Sequence, residues 1–175
     1  NMTDKNTYNY KIRAIGSNIS LDKFYSEVDS IAIIEDLIKI SKPNINEKII
    51  FVWPEGILPD ISQEELIKYN WLFKKNFNEN HLLVIGINSK SIKDGSTHYF
   101  NSLSIYDNNL SLLNSYKKIN LVPFGEFIPF KSIVGFIGLR TITNNYQSFS
   151  SGKKRDIIQI KQKNFSLKIL PLICY

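Results

Sequence analysis

The chain has 175 residues, of which 43% are hydrophobic, 13% aromatic and 22% charged, with a net charge of +6. That length suffices for one domain with a sizeable core, and this apolar content excludes an intrinsically disordered chain. The positive balance favours anionic neighbours, but the lysines are dispersed and no nucleic-acid-binding motif is present, so no nucleic-acid partner is expected.

Tyr10 to Ile15 alternates polar and apolar residues as a strand does, and Gly16-Ser17-Asn18 ends it. Phe24, Val28, Ile31, Ile34 and Ile38 recur at helical spacing, which predicts a helix from about Asp22 to Ser41, closed by Lys42-Pro43-Asn44. Lys48 to Trp53 reads as a buried strand stopped by Pro54. Ser62-Gln63-Glu64-Glu65 has the capping-box pattern, with a helix carrying Leu66, Trp71, Leu72 and Phe73 behind it.

His81 to Ile87 reads as a further buried strand and Lys93-Asp94-Gly95-Ser96 as a turn. Two strands follow, Tyr99 to Tyr106 and Leu110 to Tyr116, joined through Asp107-Asn108-Asn109. Leu121 to Pro129 is an irregular loop, Phe130 to Leu139 an apolar run, and Asn144 to Arg155 a polar loop. Lys153-Lys154-Arg155 within it is the densest basic cluster and reads as solvated. Asp156 to Tyr175 reads as a hairpin turning near Lys163-Asn164. Alternating strands and helices followed by strands in succession predict a mixed α/β domain with helices on one side of a sheet.

No apolar stretch approaches the ~18 residues that cross a bilayer. The polar start, Asn1 to Lys5, predicts no signal peptide there. The lone cysteine, Cys174, excludes an intramolecular disulfide. His81 and His98 lack metal-ligand spacing, so no metal site is expected.

Three segments place reactive side chains at or near strand ends, where open α/β folds build their sites. In Trp53-Pro54-Glu55-Gly56, Glu55 fits a general base or a plain surface glutamate. In the stretch from Lys117 to Pro129, a lysine fits an oxyanion stabiliser held by Glu126, or half of a surface ion pair. Cys174, ending an apolar strand, fits an acyl-transfer nucleophile or an inert buried thiol.

A Glu, a Lys and a Cys in that chain order resemble the catalytic triad of the nitrilase, or carbon–nitrogen hydrolase, superfamily. Trp-Pro-Glu at Trp53, then Tyr-x-Lys-x-x-Leu-Val-Pro-Phe-Gly-Glu-Phe-x-Pro from Tyr116, then Ile-Cys-Tyr at Ile173 resemble one branch of it, the apolipoprotein N-acyltransferases. The long second motif is the specific one, and it singles out Lys118 over Lys117. Softer similarity runs through Tyr99 to Ser102 and Ser148 to Gly152, so the likeness covers the chain from about Tyr10. Two features depart from the family pattern: Gly16 stands where the family has Gln, and the glutamate that follows Cys-Tyr in the family is not in this sequence.

The resemblance implies a nitrilase-like α-β-β-α sandwich, of which residues 1–175 would form the first part of a single, incomplete domain. It implies Glu55 as general base, Lys118 as oxyanion stabiliser and Cys174 as nucleophile, with Glu126 supporting Lys118 and Tyr175 shaping the substrate pocket. The implied reaction moves a phospholipid acyl chain through a cysteine thioester to the N-terminal amine of a diacylglyceryl-cysteine lipoprotein. It needs no cofactor and places the parent protein in a bacterial inner membrane, with this domain on the periplasmic side. Without the rest of the sandwich, the fragment itself is expected to be inactive. A soluble amidase or nitrilase, and an inactive remnant, are the alternatives. The apolar run after the second motif, with Phe130, Ile133, Phe136 and Ile137, fits a membrane-facing arm at the mouth of the site or a core helix.

Overall fold

The computed structural model describes residues 9–16, 29–58, 60–127 and 148–173. Five strands, β1 (Lys11–Ala14), β2 (Ile49–Trp53), β3 (His81–Lys93), β4 (Ser96–Tyr106) and β5 (Leu112–Lys117), form one sheet in that spatial order. β1, β2 and β3 pair parallel, while β3–β4 and β4–β5 pair antiparallel. Two reversals return β5 to the direction of β2, so the C-terminal ends of both point to the same edge of the sheet. A separate two-stranded hairpin, β6 (Ile158–Gln162) and β7 (Phe165–Ile169), follows.

The period-2 alternation of β2 and β3 assigns their faces. Ile49, Phe51 and Trp53 with Leu83, Ile85 and Ile87 pack on the helices α1 (Ser30–Ser41) and α2 (Asn70–Asn76). Ile50, Leu82 and Val84 pack instead with Ile158, Ile160, Phe165 and Leu167 of the hairpin. The result is three layers, helix, sheet and hairpin, as an α-β-β-α sandwich requires of its first part. α1 buries Ile33, Ile34, Leu37 and Ile38, each contributing about 1.5–3 kcal/mol by leaving water. Its last turn is tied down by Arg13, which donates to the Ser41 and Lys42 carbonyls, and by the Trp53 indole, which donates to Ser41 Oγ at 3.0 Å.

Several boundaries differ from the sequence expectation. α1 is described from Ser30, with the Asp29 carboxylate accepting from the Ile31 N–H as its N-cap; Asp22 to Val28 of the expected helix lie outside the described residues. Glu65 does reach back to the Ser62 N–H, but the first turn behind it, Leu66–Tyr69, is a 3₁₀ helix that passes into α2. β3 runs past Ile87 to Lys93, where Asp94 and Gly95 both take positive φ. That is the backbone of a tight two-residue hairpin turn, and it lets the polar residues 88–93 pair with β4. β7 ends at Ile169, leaving Leu170 to Ile173 outside the ladder. Among the described residues no helix is long and apolar enough to cross a membrane.

Candidate active site

β2 delivers Glu55 two residues beyond its end, and β5 delivers Lys118 directly after its last residue. Because the two strands run the same way, both side chains arrive at one edge of the sheet. β4 lies beside β5 and carries Asn101, which by alternation shares the hairpin-side face with Leu103 and Ile105. The Lys118 N–H donates to the Asn101 carbonyl at 2.8 Å, which continues the β4–β5 pairing into the site.

These side chains form one network. The Lys118 ammonium, 2% exposed, lies 3.0 Å from Glu55 Oε1 and 2.9 Å from Glu126 Oε2. The Asn101 amide donates to Glu55 Oε1 and, at 2.8 Å, to Glu126 Oε1. The Val122 N–H donates to Glu126 Oε2 at 2.7 Å, and Glu126 N–H returns to the Val122 carbonyl. The motif loop is thus folded around its own glutamate, with Phe124 held at φ 62 at its tip.

The two carboxylates are not equivalent. Glu126 is 11% exposed at its side chain and both of its oxygens are engaged, whereas Glu55 is 34% exposed and both of its bonds fall on Oε1. Among the described residues Glu55 Oε2 has no hydrogen-bond partner. Burial alone would raise the Glu126 carboxyl, but the bonds from Lys118, Val122 and Asn101 outweigh it and hold it below its ordinary value. Burial would likewise lower the Lys118 ammonium, yet hydrogen bonds and charge from Glu126 and Glu55 keep it above its ordinary value. Lys118 therefore stands as a fixed cation and Glu126 as a fixed anion, while Glu55 has an oxygen free to receive a proton.

Two glycines set the backbone spacing. A Cβ on Gly86 of β3 would come within 2.6 Å of the Glu55 N and Cα atoms, so only glycine lets β3 pass this close to the Glu55 turn. A Cβ on Gly152 would come within 2.1 Å of the Lys117 carbonyl oxygen, and the Gly152 N–H donates to the Lys118 carbonyl.

Of the residues proposed from sequence, Glu55, Lys118 and Glu126 are brought together. Cys174, Tyr175, Phe130, Ile133, Phe136 and Ile137 lie outside the described residues. Asn101 was not singled out from sequence for a role in the site, because a mid-strand asparagine carries no motif; only the neighbouring position of β4 reveals it. Among the described residues no group of three or more His, Cys, Asp or Glu side chains is placed to hold a metal ion.

No protein-family profile matches the chain. Curated proteins do. An apolipoprotein N-acyltransferase of Wigglesworthia glossinidia brevipalpis is 34% identical over 173 residues, 94% of this chain and 32% of that protein. One of Rhizobium rhizogenes is 28% identical over 131 residues, 72% of this chain and 23% of that protein. The chain thus spans about a third or less of the length of the curated relatives it matches. Among solved structures, the C. elegans NitFhit protein aligns with 89% of this chain and 35% of its own, at 17% identity and a TM-score of 0.46.

Proposed function

The chain is a homologue of the apolipoprotein N-acyltransferases over most of its length, and from that premise we propose that it carries the acyl-transfer machinery of such an enzyme. The observation that supports this reading is the network in which Asn101 and Lys118 bridge Glu55 and Glu126. It supplies a fixed cation and a carboxylate with a free oxygen, the two groups a cysteine nucleophile needs for thioester chemistry.

In this proposal Glu55 takes the proton of the Cys174 thiol, and the sulfur attacks the ester carbonyl of a phospholipid. The oxyanion of the tetrahedral intermediate faces the Lys118 ammonium. Its collapse breaks the bond to the glycerol oxygen, which takes the proton back from Glu55 and leaves as a lysophospholipid. The N-terminal amine of a diacylglyceryl-cysteine lipoprotein then attacks the thioester. Glu55 collects a proton from that amine and returns it to the departing sulfur, giving an amide and free Cys174. No atom changes oxidation state, so the step needs no oxidant or reductant. Tyr175 lines the acyl pocket, and residues around Phe130, Ile133, Phe136 and Ile137 face the bilayer that supplies the donor. The protein works at the bacterial inner membrane with this domain on the periplasmic side.

The test is Cys174→Ala and Cys174→Ser in the intact protein, read by mass spectrometry of lipoprotein N-termini. The alanine variant abolishes N-acylation and the serine variant nearly does. Persisting acylation in Cys174→Ala would overturn the nucleophile assignment. Release of free fatty acid with no N-acylated product, from the unmodified protein, would instead make water the acceptor and the enzyme a hydrolase.

A further inference from the structure

Beyond the Glu55–Lys118 network, the sheet carries a second concavity that the acyl-transfer reading does not use. It is a pocket of about 430 Å³ at the C-terminal ends of β3 and β5 and the start of β4, on the same edge of the sheet as Glu55 and Lys118 but on its other face, closed on one side by residues 150–153. Three lysines line it, Lys93 from β3, Lys117 from β5 and Lys153 from the basic cluster, and no acidic side chain does. Among the described residues none of the three makes an ion pair, whereas the adjacent Lys154 is paired with Asp156. Three like charges around one cavity repel each other, an arrangement that an anion relieves.

The remaining walls are built rather than incidental. The Lys117 ammonium sits 3.7 Å from the centroid of the Phe100 ring, which holds it over the pocket. His98 Nδ1 and Ser150 Oγ pair at 3.1 Å across the opening, joining β4 to the covering segment. That segment is fixed by backbone bonds, Ser150 N–H to the Tyr99 carbonyl and Gly152 N–H to the Lys118 carbonyl, and by the close approach of Gly152 to Lys117. Hydroxyl and imidazole groups beside ammonium groups are the donor set that recognises a phosphate.

We infer that this pocket, walled by Lys93, Lys117, Lys153, His98 and Ser150, is a binding site for a phosphate-bearing anion. It is distinct from the reacting centre: Lys117 and Phe100 point to the face of the sheet opposite Lys118 and Asn101. It is nevertheless coupled to that centre, because the segment that covers the pocket also bonds the backbone of Lys118 and, through the Phe149 N–H, the carbonyl of Glu126. The inference does not depend on the acyltransferase reading, since it concerns binding alone. The phosphate belongs either to a phospholipid headgroup or to a free phosphate.

Isothermal titration of the intact protein with inorganic phosphate, and separately with glycerophosphoglycerol as a soluble phosphodiester headgroup, tests it. Saturable binding of either probe is expected. It weakens about tenfold or more when Lys93, Lys117 and Lys153 are all changed to Gln, as expected when charge-assisted bonds are lost. Changing Lys39, Lys74 and Lys161 to Gln removes the same charge elsewhere and leaves binding intact. Binding of phosphate alone assigns the site to the free ion, and binding of the phosphodiester assigns it to a lipid headgroup. Binding of neither probe, or equal loss in both triple variants, overturns the proposal. Should the site triple variant fail to fold, Lys153→Gln alone, on an exposed loop, gives the same reading at smaller amplitude. Cys174→Ala retains binding in full, which separates this result from any failure of the acyl-transfer chemistry.

Discussion

At the scale of single residues, Asn101 is the group on which both carboxylates depend. Its amide spans Glu55 and Glu126, and no other described side chain donates to both except Lys118. Asn101→Leu keeps the volume and removes the donor, leaving the buried Glu126 Oε1 without its partner at a cost of about 1–3 kcal/mol. The expected outcome is a lower melting temperature together with a fall in acyl transfer larger than the stability loss explains. Unchanged turnover in a folded Asn101→Leu protein would remove Asn101 from the site. The Glu126 carboxyl yields a pH prediction. Its folded pKa lies below the ordinary 4.5, so its contribution is complete above that value and fades as pH falls through the folded one. Lys118 is the mirror case: raised above 10.5, it contributes fully below that value and fades as pH climbs through the folded one. Thermal denaturation followed from neutral to acid pH should therefore show a shallower decline in Glu126→Gln than in the unmodified protein. Parallel curves would mean that the pairing seen here adds nothing to stability.

At the scale of elements, the approach of β3 to the Glu55 turn fixes where the carboxylate stands. Gly86→Ala introduces a Cβ that must push backbone, not a flexible side chain, out of its way. Overpacking of this kind costs about 1–3 kcal/mol, and here it also displaces Glu55 from Lys118. The expected result is a destabilised protein whose remaining folded fraction transfers acyl chains poorly; an active Gly86→Ala protein of normal stability would show that β3 does not set this spacing. Much of the element order was legible in the sequence. β2, β3 and β4 announce themselves because apolar side chains alternate or run unbroken where both faces are covered. The cap at Asp29 was not legible, because it is a local bond to the Ile31 N–H that apolar spacing does not register. The outer half of β3 was not legible either: residues 88–93 are mostly polar, and they are strand because β4 pairs with them. Glu55, Lys118 and Glu126 could be picked out by motif, but the role of Asn101 follows from strand adjacency, which is tertiary information.

At the scale of the whole molecule, three layers hold the site between a sheet edge and the hairpin, and the parts of the network come from very different distances along the chain. Asn101 and Glu126 are 25 residues apart, whereas Glu55 lies 46 from Asn101 and 63 from Lys118. The near partners are joined by the β3–β4–β5 meander, whose connections are short turns. Glu55 enters only when β2 pairs parallel to β3, a contact that closes a much longer loop. Chain closure over longer separations is slower, so the topology predicts an order of assembly: Lys118 and Glu126 come together first, and Glu55 docks last. Pulsed hydrogen exchange during refolding should protect the amides of β4 and β5 before those of β2, and simultaneous protection would contradict it. In that order Lys118 meets Glu126 before Glu55 joins them, so the cluster stays one negative charge short of its finished form until β2 pairs with β3.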